Sequence, residues 1–438
     1  MDAFVSALNA HIESKGLIGE YIVHNFDDFG PSLVAEKNYN VGDVVVSETA
    51  LYITTDDIMG SFESGSSLDQ LCQLFKVTAD TLECTAEIVK SIEGLGEHSV
   101  ATDKVVQLRD WISAFSLNGY SLSGSNKTGL FVIASKVAHS CAPNVATITS
   151  AEHDRLVFTA MKPIAKGDLI FSSYLAGAKL AYPTRVRQEF IRHKYYFDCR
   201  CPRCRAVDDL RALKCGVCDT GTVWLDSLAG VWTCGAGGPC DATGCCGATF
   251  SGAKADDELY TDVEEQAEEQ LRVFDDVGGQ CDAAGQRVLM GTAESVFTLE
   301  KYLPLQHWTV PFMKRVVVEG LLRSGRGLTD IDRDRFVVDL ARWARYYLAP
   351  HSPVSAACLL HTYTKCLFGL LPVDVSTQAS APAVPDHELP TVSVSAAPVR
   401  EQQAQEVLHI MRFLFPFYEI QYGAQDADVV EWRSRVGL

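Results

Sequence analysis

The sequence predicts an α+β protein, with short strands in its front half, helices in its rear half and a cysteine-rich, metal-binding segment between them. Three observations predict it. β-Branched runs punctuated by glycine fill residues 21–48 and 131–171. Nine of the 15 cysteines crowd into residues 199–246. From residue 259 onward, apolar residues recur at helical spacing.

At 438 residues the chain exceeds one ordinary core and suits two or three domains. Hydrophobic residues make up 47% and charged residues 21%, a globular balance that excludes disorder across the whole chain. No uninterrupted apolar run reaches bilayer length, so no membrane role is expected. The opening MDAFVSALNAHIESKG has no basic n-region, so no secretory signal is expected. A formal charge of −18 argues against a nucleic-acid partner and favours a basic protein or peptide.

Taken in order, residues 1–51 read as strands and turns, with Gly30 and Gly42 as punctuation. Residues 52–116 read as a helical insert, because Leu71, Leu74 and Phe75, then Val105, Leu108, Trp111 and Ile112, fall at helical spacing. Residues 117–198 return to strands at 131–134, 145–148, 156–160 and 168–171. Residues 199–252 are the cysteine segment. Residues 253–438 read as a helical domain. It opens with Leu259, Val263, Ala267 and Leu271 at every fourth position, opposite an acidic face. Further helices are expected near 287–299, 312–322, 336–348, 354–370 and 401–420. Residues 372–400, rich in Ala, Ser, Val and Pro, read as a flexible loop.

The cysteines are candidate zinc ligands, because clustered thiols without an export signal point to metal rather than disulfides. Cys199-x-Cys201-x-x-Cys204 sets three thiols on a tight turn, with Cys141 as candidate fourth ligand. A second set starts at Cys215-x-x-Cys218 and continues at Cys234. Its fourth member is Cys240, Cys245 or Cys246, with Cys240 preferred. All-thiolate sets leave no open position for water, so two structural Zn2+ ions are expected rather than a zinc hydrolase.

Three motifs carry a resemblance. FGPSLVAEKNYNVGDVVVSE lies at 29–48. HSCAPN at 139–144 is followed by LVFTAMKPIAKGDLIFSSY at 156–174. YYFDCRCPRC lies at 195–204. In this order they resemble the SET domain of protein-lysine methyltransferases, and specifically the SET and MYND domain family. The resemblance implies a β-rich knotted SET fold, a zinc-binding post-SET segment and a helical C-terminal domain. The family's MYND zinc finger has no counterpart here, since 52–116 holds only Cys72 and Cys84.

The resemblance further implies S-adenosylmethionine as methyl donor and a lysine side chain of a protein as acceptor, in a basic sequence context. Tyr174 matches the family's catalytic tyrosine, and Tyr195 a tyrosine of the lysine channel. Gly30, Ser32, Asn118, Ala138, His139, Tyr174 and Phe197 match donor-binding positions, with Phe197 packing on the adenine. Two matches depart from the pattern. Ala138 replaces the usual asparagine, and Ser32 the usual second glycine. A cofactor-free SET-fold scaffold is the alternative function. The expected state is a monomer in the cytoplasm, with the nucleus as a second location. Asn144, after Pro143, is read as a structural cap rather than a catalytic group.

Overall fold

β-Branched segments with a buried face need partners, and in the front half some find them in the next strand and others more than 100 residues away. The structure, a computed structural model, describes residues 3–54, 112–175, 177–208, 210–218, 221–226, 231–235, 246–251, 265–269, 296–301, 303–324, 330–361 and 399–438. β1 (Tyr21–Phe26) and β2 (Gly30–Ala35) form an antiparallel hairpin that closes at Phe26–Gly30. Gly30 sits at φ +64°, where a side chain is strained. β3 (Val44–Thr49), β9 (Arg155–Ala160) and β8 (Val145–Ser150) make a three-stranded sheet with β9 central. Leu156, Phe158 and Ala160 alternate into the core with no exposed surface. β4 (Tyr52–Thr54), β6 (Thr128–Leu130) and β5 (Gly119–Ser121) make another sheet.

The site-bearing pair is short and parallel: β7 (Ala138–His139) lies beside β10 (Phe171–Ser172). Asn144 locks it. Its Nδ2 donates to Leu169 O at 2.9 Å, and its Oδ1 accepts from Phe171 N–H at 2.7 Å. This is the structural role expected from the sequence.

Contacts divide the chain into two compact units, residues 1–176 with 185–202, and residues 177–184 with 203–438. In the second, β11 (Leu213–Lys214), β12 (Thr222–Asp226), β13 (Val231–Cys234) and β14 (Thr249–Ser251) form one antiparallel sheet. Helices follow at Thr309–Ser324, Asp330–Trp343, Pro353–His361, Val399–Tyr422 and Ala427–Val436. Val407, Leu408, Met411, Leu414 and Phe415 form the buried stripe foreseen for the fourth of these. Lys314, 1% exposed, meets Glu300 and Asp339 at 2.5 Å each. Arg335 also pairs with Glu300, and Arg342 with Asp339 and Glu406, so Glu300 and Asp339 each meet two cations.

Some expectations are corrected. The run 131–134 is not a strand: it turns into the 3-10 helix Ala134–Lys136. Tertiary contacts outweigh its β-propensity, because the Glu48 carboxylate accepts the N–H groups of Val132, Ile133 and Ala134. Strand pairing in 168–171 reduces to a bridge at Leu169 and the short β10. Unforeseen helices among the described residues include Ala427–Val436, Ala3–Ser14 and Thr184–Tyr195. In the last of these, a buried Arg187 shares the inward face with Ile191, which breaks the apolar period. Most of the expected helical insert and all but two residues of the loop 372–400 lie outside the described residues.

Candidate active site and metal centres

The β7–β10 pair delivers His139 and the chain leading to Tyr174 side by side. His139 is 3% exposed. Its Nδ1 accepts the Tyr174 backbone N–H at 3.0 Å, so its ring proton sits on Nε2. That nitrogen lies 3.4 Å from Cys141 Sγ. The Tyr174 hydroxyl donates to Val137 O at 3.0 Å. The Tyr195 hydroxyl donates to Tyr174 O at 3.4 Å, and the two tyrosine rings stand 4.9 Å apart. Burial, and then the neighbouring Tyr195, push the Tyr174 phenol well above its ordinary range, so it stays neutral.

Phe197 completes this group, its ring 6.3 Å from His139. It is 37% exposed, an uncovered aromatic face beside a buried imidazole, which suits the stacking of a flat heterocycle. Of the sequence-based candidates, the structure brings together Ala138, His139, Tyr174, Tyr195 and Phe197. Among the described contacts, none joins Gly30, Ser32 or Asn118 directly to Tyr174. The glycine turn reaches β10 through Phe29, whose ring packs on Phe171 at 5.3 Å. Ser32 is fully buried, and its hydroxyl turns back onto the carbonyls of Phe29 and Gly30. The extra Cβ therefore faces inward. Asn118 donates its amide to Ala114 O one helical turn back.

Sequence reasoning missed Tyr120. Its ring packs on Phe131 and Phe158, and its hydroxyl donates to Ala134 O. Its position in Leu-Asn-Gly-Tyr, two residues after Asn118, was the available signal.

The thiols Cys141, Cys199, Cys201 and Cys204 lie within 4.8 Å of one another. So do Cys215, Cys218, Cys234 and Cys246. Zn–S bonds of about 2.3 Å in a tetrahedron place sulfurs about 3.8 Å apart. The Cys141–Cys199 separation is 4.0 Å, and Cys215–Cys246 and Cys218–Cys234 are both 3.7 Å. Both sets therefore fit a four-thiolate metal centre. In the second, the fourth described thiol is Cys246, one of the three alternatives; the preferred Cys240 lies outside the described residues. Cys246 arrives there because Cys234 N–H bonds Ala248 O, folding the start of β14 over the knuckle. The Cys246 backbone N–H pulls the Cys218 thiol down to about 7, a poised thiolate donor. The first set is buried, whereas Cys246 is exposed and Cys218 half-buried.

The SET domain family profile matches residues 30–175. A SET and MYND domain-containing protein of Dictyostelium discoideum is 40% identical over 70 residues, 16% of each chain. The protein-lysine N-trimethyltransferase SMYD5 of Homo sapiens is 37% identical over 82 residues, 19% of this chain and 20% of that one. The histone-lysine N-methyltransferase ASHR1 of Arabidopsis thaliana is 33% identical over 102 residues, 22% of this chain and 20% of that one. These matches span about a fifth or less of the curated relatives' length. Among the described residues, no helix is long and apolar enough to cross a membrane. With the His139–Tyr174 pair inside the matched segment, residues 30–175 carry a SET domain, and the chain is similar over a short stretch to proteins of the SET and MYND domain family.

Proposed function

We propose that this chain transfers a methyl group from S-adenosylmethionine to a lysine side chain of a protein. The observation that carries the reading is the paired Tyr174 and Tyr195 rings beside His139, with the Tyr174 hydroxyl fixed on Val137 O. The donor supplies a methyl on a sulfonium. With the donor bound, its methyl would pass in line to the neutral lysine nitrogen, the sulfur would leave as a thioether, and the excess proton would go to water. The chain's own task is to orient and desolvate. A dry tyrosine-lined channel favours the neutral amine and aligns it. Neutral Tyr174 holds its position through two fixed bonds, and Tyr195 limits the channel wall. Phe197 would stack on the adenine, with Gly30, Ser32, Asn118, Ala138 and His139 around the donor. Two Zn2+ ions in the thiol clusters would act structurally.

A basic stretch of substrate suits the net charge of −18. Cysteines without disulfides in both clusters suit a reducing compartment, the cytoplasm and the nucleus, and a monomer suffices for the chemistry. The second reading, a scaffold without donor, is favoured by Ala138 and by the Asn118 amide bonded to Ala114. Calorimetric titration with S-adenosylmethionine separates the two. Saturable binding, followed by labelled methyl-lysine found by mass spectrometry of an incubated lysate, supports the enzyme. Absence of binding at millimolar donor overturns it and leaves the scaffold.

A further inference from the structure

Glu48 lies far from Tyr174 in sequence and matches none of the expected site positions. Its carboxylate on β3 nevertheless accepts from three successive backbone amides. Oε1 accepts from Val132 N–H at 2.8 Å and Ile133 N–H at 3.1 Å. Oε2 accepts from Ile133 N–H at 3.1 Å and Ala134 N–H at 3.0 Å. Three successive amides converging on one anion form a nest, built from the N–H groups that a helical turn leaves unpaired at its start. The turn so captured, Ala134–Lys136, runs directly into Val137 and then Ala138–His139.

That order has a consequence. Val137 O holds the Tyr174 hydroxyl, and His139 Nδ1 holds the Tyr174 backbone N–H. Ala134, whose N–H goes to Glu48, also accepts the Tyr120 hydroxyl through its carbonyl at 3.3 Å. Both polar anchors of Tyr174 thus hang from the segment that Glu48 pins, three and five residues downstream of Ala134.

We infer that Glu48 is a positioning residue for methyl transfer, acting through the 132–139 segment to hold the Tyr174 hydroxyl in register. It rests on the methyl-transfer reading above, but the placement of Tyr174 can be read without any turnover. Glu48→Gln is the informative variant. Its amide offers one acceptor oxygen, and its NH2 opposes an N–H donor, so the nest loses at least one bond. Glu48→Asp keeps the charge on a shorter arm, and Glu48→Ala leaves the nest open to a small carboxylate.

The first measurement is the 13Cζ resonance of Tyr174 in tyrosine-labelled protein, assigned by its loss in Tyr174→Phe. A shift in Glu48→Gln, smaller in Glu48→Asp and reversed in Glu48→Ala by added formate, is expected. An unshifted resonance in folded Glu48→Gln overturns the inference, whether or not the protein proves to be a methyltransferase. The second is steady-state kinetics. Misplacement of a reacting group by an ångström costs about 100-fold, so kcat should fall about tenfold or more with the donor KM little changed. A matched loss in donor affinity, or full kcat, overturns it. Should Glu48→Gln fail to fold, Glu48→Asp carries both measurements. Should wild-type protein transfer no methyl, the enzyme reading falls and the resonance alone decides the role of Glu48.

Discussion

Gly221→Ala should dismantle the second thiol cluster while sparing the first. A Cβ at position 221 would lie 2.5 Å from Cys234 Sγ and 2.6 Å from Cys218 Sγ. Non-bonded heavy atoms rest at about 3.5–4.0 Å, so each sulfur must retreat by roughly 1 Å. Metal–ligand distances tolerate about 0.2 Å before the geometry fails. Relaxation is restricted, because Gly221 O holds Cys215 N–H at 2.9 Å and Val217 N–H reaches Cys215 Sγ at 3.4 Å. Moving the glycine away would drag the knuckle with it. Two of four ligands displaced beyond tolerance should weaken metal binding by at least about 100-fold, or about 2.8 kcal/mol. The assay is metal analysis of purified protein, followed by competition with a chromophoric chelator. Wild-type protein should carry two zinc ions and Gly221→Ala one, since the Cys141–Cys199–Cys201–Cys204 set is untouched. Two ions at wild-type affinity in the variant would refute the cluster.

Tyr174→Phe should abolish methyl transfer with donor affinity nearly intact, and leaving Val137 O unpaired should cost about 1 kcal/mol of stability; full turnover sinks its catalytic assignment. Phe197→Ala should instead weaken donor binding by about 1–3 kcal/mol in calorimetry, and unchanged affinity denies it the stacking role. Lys314→Met should destabilise by about 3 kcal/mol in urea unfolding, because Glu300 and Asp339 lose their shared buried cation; an unchanged midpoint would mean that Arg335 and Arg342 suffice. Burial lowers Lys136 from 10.5 to about 7, so the unfolded chain binds more protons between these values and stability rises with pH across that window. Lys136→Met should flatten the rise, and a slope identical to wild type counts against the shift.

Much of the site was legible because its chemistry is written locally. HSCAPN, the Ser-Tyr ending at 174 and CxCxxC each keep their ligands or rings within a few residues. The structure joins three such local words at Cys141, Tyr174 and Cys199. Strands 145–148 and 156–160 were legible for the same reason, since their β-branched and apolar composition is a property of neighbours. What escaped depends on distant partners. Phe131–Ala134 has strand composition, and only a glutamate more than 80 positions away makes it a turn. Thr184–Tyr195 hides its helical face because an arginine takes a core position. Spacing could not choose among Cys240, Cys245 and Cys246, since it is the distant pairing of β13 with β14 that brings Cys246 to the cluster.

The span of the contacts around Tyr174 also bears on how the protein is made. Glu48 reaches 84–86 positions along the chain to its amides, and Cys141 reaches 58 positions to Cys199. Closing such loops has an entropic cost before any contact is gained, so distant pairings form late and slowly. On the ribosome, the β1–β2 hairpin and the β8–β9 pair can close as they emerge. The neighbourhood of Tyr174 must wait until Cys199 and Cys201 are free of the exit tunnel. A nascent chain stalled before residue 199 would hold its early strands but an open, thiol-bearing edge at Cys141. Protection of that single thiol from alkylation, followed against chain length, would mark the moment at which the site comes into being.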